Sequence, residues 1–355
     1  SNMAATGFFS ALGVGLLLCI LGQFFLEPLA YLLGSTDTIL PYAKAYMRII
    51  LIGAPWMTAS LVLNNQLRFQ GSAVYGMVGI TSGAVLNIAL DPLLIFGLDM
   101  GVAGAALATI ISQFVSFCLL LAGCSRGGNL QIHISRVQLK WSYYSQIIRG
   151  GLPSLARQGL ASAATICLNL AAKPYGDAAI AAMGVVQRIT MFGASAMIGF
   201  GQGFQPVCGF NYGAKLYDRV KKGFWFCVKS STAFLFAVGA LGVVFAPQLV
   251  ALFRDSPEVV SIGATALRFQ CVTFCFHGWV VMSNMMLQTI GRTGPATFLA
   301  MARQGIFFIP LVWILSHLLG LTGIQMTQMV SDILTLACAI PIQLKVLREL
   351  AANEL

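Results

Sequence analysis

The sequence predicts an all-α integral membrane protein of two pseudo-symmetric helical bundles. Three observations carry that prediction. First, 58% of the 355 residues are hydrophobic and only 9% are charged, against about 25% charged in soluble domains. Second, the apolar runs reach the ~20 residues of a spanning helix, too long for the alternating strands of an outer-membrane barrel. Third, the chain repeats itself at an offset of 220 residues, which carries Arg48 onto Arg268, Asn64 onto Asn284 and Gly71 onto Gly291.

Ten spans follow from the apolar runs, at about 8–33, 42–67, 73–97, 101–123, 145–172, 178–206, 222–252, 259–290, 295–319 and 322–347. They are separated by turn chemistry: Gly34-Ser35, Gly71-Ser72, Lys173-Pro174-Tyr175-Gly176, Ser256-Pro257 and Gly291 to Pro295. The opening run is too long, and its start too poor in basic residues, for a signal peptide. The longest polar stretch, 124–144, divides the chain into an N-terminal bundle (1–123) and a C-terminal bundle (145–350).

The repeat aligns the first four spans with the last four. Small register adjustments also place Pro28 on Pro247 and Gly101-Val102-Ala103-Gly104 on Gly320-Leu321-Thr322-Gly323. An even number of helices separates the copies, so both face the same way, as in transporters with parallel repeats. Spans five and six have no counterpart in the first half. The expected whole is therefore six helices plus six, of which four plus six are present here, with the first two lacking.

Charge places the ends. Net charge is +10, which in a soluble protein would suggest nucleic acid. Here it falls in loops, and no aromatic–basic patch suits base stacking, so no nucleic-acid partner is expected. Arg68, Arg126, Arg136, Lys140, Arg149, Lys215, Arg219, Lys221, Lys222, Arg292, Lys345 and Arg348 gather on one side. Lys44, Lys173 and Arg254, with most loop acids, fall on the other. The first side, with the 124–144 loop and the C-terminus, is expected to be cytoplasmic. The nine cysteines form no Cys-x-x-Cys pair and His133, His277 and His317 are scattered, so small packing residues are expected rather than a metal centre.

The informative polar residues lie inside the spans. Asp91 closes Asn87-Ile88-Ala89-Leu90-Asp91-Pro92, with Asn87 four residues earlier on the same helical face. Pro92 withholds a backbone donor from the preceding turn. A carboxylate at such a place costs about 2.5–3.5 kcal/mol on insertion scales, so it is either paired or neutralised structurally, or it works. Thr109 lies about as far beyond the turn at Asp99 as Asp91 lies before it, roughly 12–15 Å at 1.5 Å per residue. Carboxylate, amide oxygen and hydroxyl are the hard donors of a sodium site or a proton relay. The alternatives are a Thr109 hydroxyl bonded to its own helix and an Asn87 that bridges helices.

Asp332 is the second membrane carboxylate, with Arg303 and Arg157 as prospective partners. It reads as a structural ion pair or as a second protonation or substrate site. A cavity for cations should not be lined by unpaired arginines, so Arg157, Arg303 and Arg188 are expected to be paired or snorkelling. Asn64, Asn284, Gln304, Met282 and Met286 are candidate cavity-lining residues, with packing as the alternative for the methionines.

Several stretches in this order and spacing resemble the multidrug and toxic-compound extrusion (MATE) family of antiporters. They are Asn64-Asn65-Gln66-Leu67-Arg68-Phe69-Gln70-Gly71, Asn87 to Pro92, Gly101 to Thr109, Gly151-Leu152-Pro153-Ser154, Gln202 to Pro206, Asn211-Tyr212-Gly213 and Arg303-Gln304. The resemblance covers essentially the whole chain. It implies two six-helix bundles in a V around a central cavity. It further implies export of cationic or amphipathic compounds against inward proton or sodium flow, by a monomer spanning the plasma membrane many times. It is closest to the prokaryotic branch whose cation site combines a first-helix Asp, an Asn–Asp pair four apart and a Thr on the next helix. The pair falls on Asn87 and Asp91 and the Thr on Thr109, so a sodium ion would be held there. The first-helix Asp has no counterpart in this sequence. No other cofactor is implied.

Other classes compete poorly. A membrane enzyme would need a His–Asp pair or an acidic interfacial cluster, and the outer acids stand singly. A lipid-linked flippase of the same superfamily would want a more cationic cavity, for which Arg157, Arg188 and Arg303 are candidates. A fragment that folds without transporting is the remaining alternative.

Overall fold

The computed structural model describes residues 2–32, 40–69, 72–126 and 139–353. Two compact units divide it, Ser1–Ile147 and Ile148–Leu355. The turns expected at Gly34-Ser35 and Gly71, and most of the 124–144 loop, lie outside the described residues.

In the first unit, α1 (Asn2–Phe24) and α2 (Leu26–Leu32) follow one another across a break at Phe25. Next come α3 (Leu40–Ile52) and α4 (Ala54–Phe69), bent by 50° at Gly53. Then α5 (Ala73–Pro92) runs into a π-helical turn, Leu93–Gly97, and α6 (Val102–Arg126) returns. Small residues let α5 and α6 approach closely, as helices in lipid do when they cannot rely on hydrophobic burial. A Cβ on Gly83 would collide with Ser116 and come within 2.9 Å of the Ser112 carbonyl. The apolar core of this unit gathers Phe8 of α1, Ala59, Leu63 and Leu67 of α4, and Leu120 and Cys124 of α6.

In the second unit, α7 (Trp141–Ala172) leads through Lys173–Tyr175 to α8 (Asp177–Gly213), then α9 (Tyr217–Val244) and α10 (Ala246–Phe253). A bent pair follows, α11 (Pro257–Val272) and α12 (His277–Thr289), turned by 43° at a 3₁₀ segment, Phe274–Phe276. Next, α13 (Thr293–Met301) passes through a second π turn, Ala302–Ile306, into α14 (Phe308–Leu319), and α15 (Leu321–Ala352) ends the chain. Two large apolar clusters fill most of the unit, with a third, small one at Met197, Leu235 and Phe274. One joins α7, α8, α10, α11, α14 and α15, and the other joins α8, α9, α12, α13 and α15.

Among the described residues, seven helices are long and apolar enough to cross a membrane, and nine spans result if each bent pair counts once. The tenth expected span, α7, is a 32-residue helix that is not among the nine. Arg149, Arg157, Gln158 and its serines dilute its apolar surface. Large apolar side chains point outward throughout, with Phe24 80%, Phe96 79% and Phe192 86% exposed. That would be ruinous in water and is the ordinary surface of a helix in lipid. The chain is an all-α, multi-pass membrane protein.

The repeat recurs in the backbone. The break at Phe25 has its equivalent at Phe245, and the bend at Gly53 has its equivalent at Thr273. Gly101 at φ +60° and Gly320 at φ +66° both open the last helix of their copy, a conformation that favours glycine. Gly104 abuts the Leu94 carbonyl and Gly323 abuts that of Leu315, so each last helix packs directly on the backbone before it. Contacts repeat too. Gln23 donates to the Arg48 carbonyl at 2.6 Å, and Arg268 donates to the Val243 carbonyl at 3.2 Å, the same two positions one copy on. Asn64 stands against Gly76, and Asn284 donates to the Ala296 carbonyl at 2.6 Å.

Candidate functional site

Two polar sites are built inside the helices, one in each unit. Both sit beside a π turn. Such a turn packs one extra residue into a helix, breaks the regular carbonyl pairing and is frequent at functional positions.

In the first unit the site lies on α5 and α6. Gly83 meets Ser112 and Ser116, and Gly104 meets Leu94. The antiparallel register these contacts set puts Thr109 at a depth between Asn87 and Asp91. Pro92 ends α5 and has no N–H to give the carbonyl one turn back. The π turn starts at once, with the Leu98 N–H reaching the Leu93 carbonyl at 2.9 Å. Asp91 Oδ1 and Asn87 Oδ1 are buried and have no hydrogen-bond partner, and the Ser112 hydroxyl on α6 shares that condition. Buried acceptors without donors are costly and uncommon. Two such oxygens, one turn apart on one face, are what a proton or hard cation would satisfy. The Thr109 hydroxyl donates to the Ala105 carbonyl of its own helix at 3.0 Å. Its lone pairs remain available as acceptors. The three residues therefore share a depth, while the structure contains no direct hydrogen bond from Thr109 to the other two. Ser112 was not singled out from the sequence, because nothing in its neighbourhood distinguishes it from other serines in apolar runs.

In the second unit a cavity of ≈ 420 Å³ opens among α7, α8, α11, α12, α13, the second π turn, α14 and α15. Arg157, Asn284, Arg303 and Gln304 line it. Met282 and Met286 do not; both are 0% exposed and belong to the apolar core. Asn64 lies half-buried on α4 of the first unit.

Asp332 lies behind this cavity, buried at 4% exposure. Its Oδ1 accepts from Arg303 Nε at 2.9 Å and from Gln328 Nε2 at 3.0 Å. Its Oδ2 accepts from the Thr273 hydroxyl at 3.2 Å and stands 3.8 Å from His277 Nε2. The Ser331 hydroxyl donates to the Arg303 carbonyl inside the π turn. Arg303 is thus the partner of Asp332, and Arg157 is not. The cluster ties together two helix breaks of the unit, the 3₁₀ segment before α12 and the π turn before α14. Thr273, His277 and Gln328 escaped the sequence reading, since the first two lie more than fifty residues from Asp332 in the chain.

Arg157 departs from the expectation that it, like Arg188 and Arg303, is paired or snorkelling. Its Nη1 reaches only the Asn284 amide oxygen, at 3.5 Å, and its Nε is buried without a partner. Among the described residues no group of His, Cys, Asp and Glu is arranged to hold a metal ion.

The chain as a whole is similar to known proteins. The family model described as MatE matches residues 1–93 and 153–314. The chain is similar to the multidrug export protein MepA of Staphylococcus saprophyticus, 28% identical over 328 residues that cover 91% of this chain and 72% of the relative. It is 26% identical over 329 residues to the MepA of Staphylococcus aureus strain RF122, with the same coverage. Its fold is similar to the outward-facing structure of a multidrug-resistance MATE transporter of the MOP superfamily. The TM-score is 0.91 at 26% identity, covering 99% of this chain and 79% of that one. Members of this family are transporters rather than enzymes, and the chain belongs to the MatE family.

Proposed function

We propose that the protein exports amphipathic drugs, organic cations among them, across the plasma membrane in exchange for inward-moving protons or sodium ions, with its C-terminus cytoplasmic. The observation that carries this reading is the pair of buried, unpartnered oxygens on Asn87 and Asp91 at the end of α5. Asp91 would bind the proton or sodium ion, Asn87 would lend its amide oxygen, and Thr109 would lend the lone pairs of its hydroxyl. Neutralising Asp91 removes the cost of an uncompensated carboxylate at that depth. The proline and the π turn immediately beyond it give α5 a place to repack when that happens. The names of the MepA relatives support multidrug export as the direction and class of transport.

The test is efflux from vesicles holding the reconstituted protein and a fluorescent organic cation. A pH gradient and a sodium gradient are imposed in separate experiments. Export that follows one gradient and collapses when it is dissipated is expected. Equal flux with and without either gradient would remove coupling from the account.

A further inference from the structure

We infer that the cavity of the second unit is a binding site for an organic monocarboxylate, whose anionic head is held by Arg157. The cavity is inside one unit and is lined by two guanidinium groups. They are not equivalent. Arg303 carries its counter-charge with it, because Asp332 accepts from its Nε at 2.9 Å. Arg157 has no carboxylate near it. Its one side-chain contact is an amide oxygen at 3.5 Å, long for a hydrogen bond. Its Nε–H is buried with nothing to donate to. Among the described residues, no Asp or Glu lines the cavity. A half-buried guanidinium that lines an open space and keeps a donor without an acceptor is a receptor for an oxyanion, and its planar fork matches a carboxylate.

The remaining lining narrows the class. Gln187, Thr190, Gln270 and Gln304 offer neutral hydrogen bonds around the arginine, and Met183 and Phe308 supply an apolar wall. That is a lining for an amphiphile, with a few oriented polar groups in a largely apolar cavity of the usual ligand size. Among the described lining residues, Arg157 is the one permanent cation without an ion-pair partner, and it balances one negative charge. A pyrophosphate, with two charges or more, would leave charge buried without a partner. A permanently cationic ligand would meet Arg157 with no acid to offset it. A ligand that is zwitterionic, with its carboxylate here and its cation elsewhere, fits the same rule.

The inference goes beyond the export reading, whose organic cations this cavity does not suit, and it is tested by binding alone. No gradient is used, so a failure here leaves the coupling at Asp91 untouched. The full chain is placed in nanodiscs of neutral phosphatidylcholine and titrated with 11-(dansylamino)undecanoic acid, its methyl ester, and the trimethylammonium analogue of the same length. Ala161→Trp fills the cavity, leaves Arg157 in place and supplies the background of partition into lipid. The carboxylate should bind above that background at least tenfold more tightly than the ester or the ammonium probe. Arg157→Gln should weaken the carboxylate by on the order of 10- to 100-fold while leaving the ester unchanged. Arg157→Lys, which keeps the charge but loses the fork, should retain part of the preference. Should the Gln variant fail to fold, the ratio of carboxylate to ester affinity in the wild type decides alone. Equal binding of the two, tighter binding of the ammonium probe, or carboxylate binding that survives Ala161→Trp would overturn the inference.

Discussion

Replacing Arg303 by Met should cost the second unit more stability than removing any ion pair on the protein surface. Asp332 is 4% exposed and holds three donors, of which Arg303 alone is charged. Without it the carboxylate keeps Gln328 and Thr273 and loses its counter-charge. Stranding one partner of a buried pair costs about 3–5 kcal/mol. Replacing both partners with apolar residues of similar volume is often neutral. The double variant Arg303→Met, Asp332→Leu should therefore recover most of what the single variant loses. Asp218→Ala is the control. Its pair with Lys222 spans 2.9 Å but both side chains are mostly exposed, at 75% and 59%, so it should contribute about 0–1 kcal/mol. Thermal unfolding in detergent, followed by tryptophan fluorescence, reads all three. The expected order of melting temperature places Arg303→Met well below the wild type, with the double variant and Asp218→Ala close to it. An Arg303→Met protein that melts with the wild type would refute the reasoning, and so would a double variant less stable than the single. Either result would mean that Asp332 is not an ion whose charge the fold must balance.

Other consequences can be checked separately. Gly83→Leu should prevent α5 and α6 from packing, since even a Cβ there collides with Ser116; loss of a monodisperse peak on size exclusion is expected, and an unchanged profile would contradict the close approach. Arg292→Ala should change stability by only about 0.2–1 kcal/mol, because its pair with Glu349 spans 2.6 Å between partly exposed side chains; a larger drop in melting temperature would show that the pair anchors α15. A cysteine at Ser135, in a background without the nine native cysteines, should resist an impermeant maleimide added outside intact cells. Ready labelling would invert the topology.

Much of the fold is legible in the sequence because the chain says it twice. Positions 25, 53 and 101 predict nothing remarkable singly, but each has a partner 219 or 220 residues on that breaks or turns the backbone in the same way. Composition and periodicity give the spans for the same physical reason in both copies: a helix in lipid is apolar all round. The π turns at Leu93–Gly97 and Ala302–Ile306 are not legible. An inserted residue in a helix has no compositional mark, and packing against neighbours decides where it is absorbed. Asn87 and Asp91 stand out because an amide and an acid one turn apart are rare in an apolar run. The cluster at Asp332 is half visible: the ion pair follows from charge pairing and Gln328 lies one turn before Asp332 on α15, while Thr273 and His277 join it only through helix packing. Arg157 is the instructive case. Electrostatics favours a partner for an arginine inside a span, so the sequence predicts one; the fold instead places the half-buried side chain along a cavity, with its Nε–H unpartnered.

The central claim is that Asp91 couples ion entry to export. The measurement that tests it most directly compares wild-type, Asp91→Asn and Asp332→Asn protein in the same vesicles, reading uphill export of a fluorescent organic cation under the gradient that drives the wild type. Asn is close in shape to Asp but cannot take up a proton or neutralise a sodium ion. Asp91→Asn should abolish uphill export while the purified variant remains folded and still binds the cation. Asp332→Asn should export, at a rate lowered only as far as its stability is lowered. Uphill export by Asp91→Asn at the wild-type rate, or its loss in Asp332→Asn alone with the fold intact, would contradict the claim and move the coupling site to the second unit.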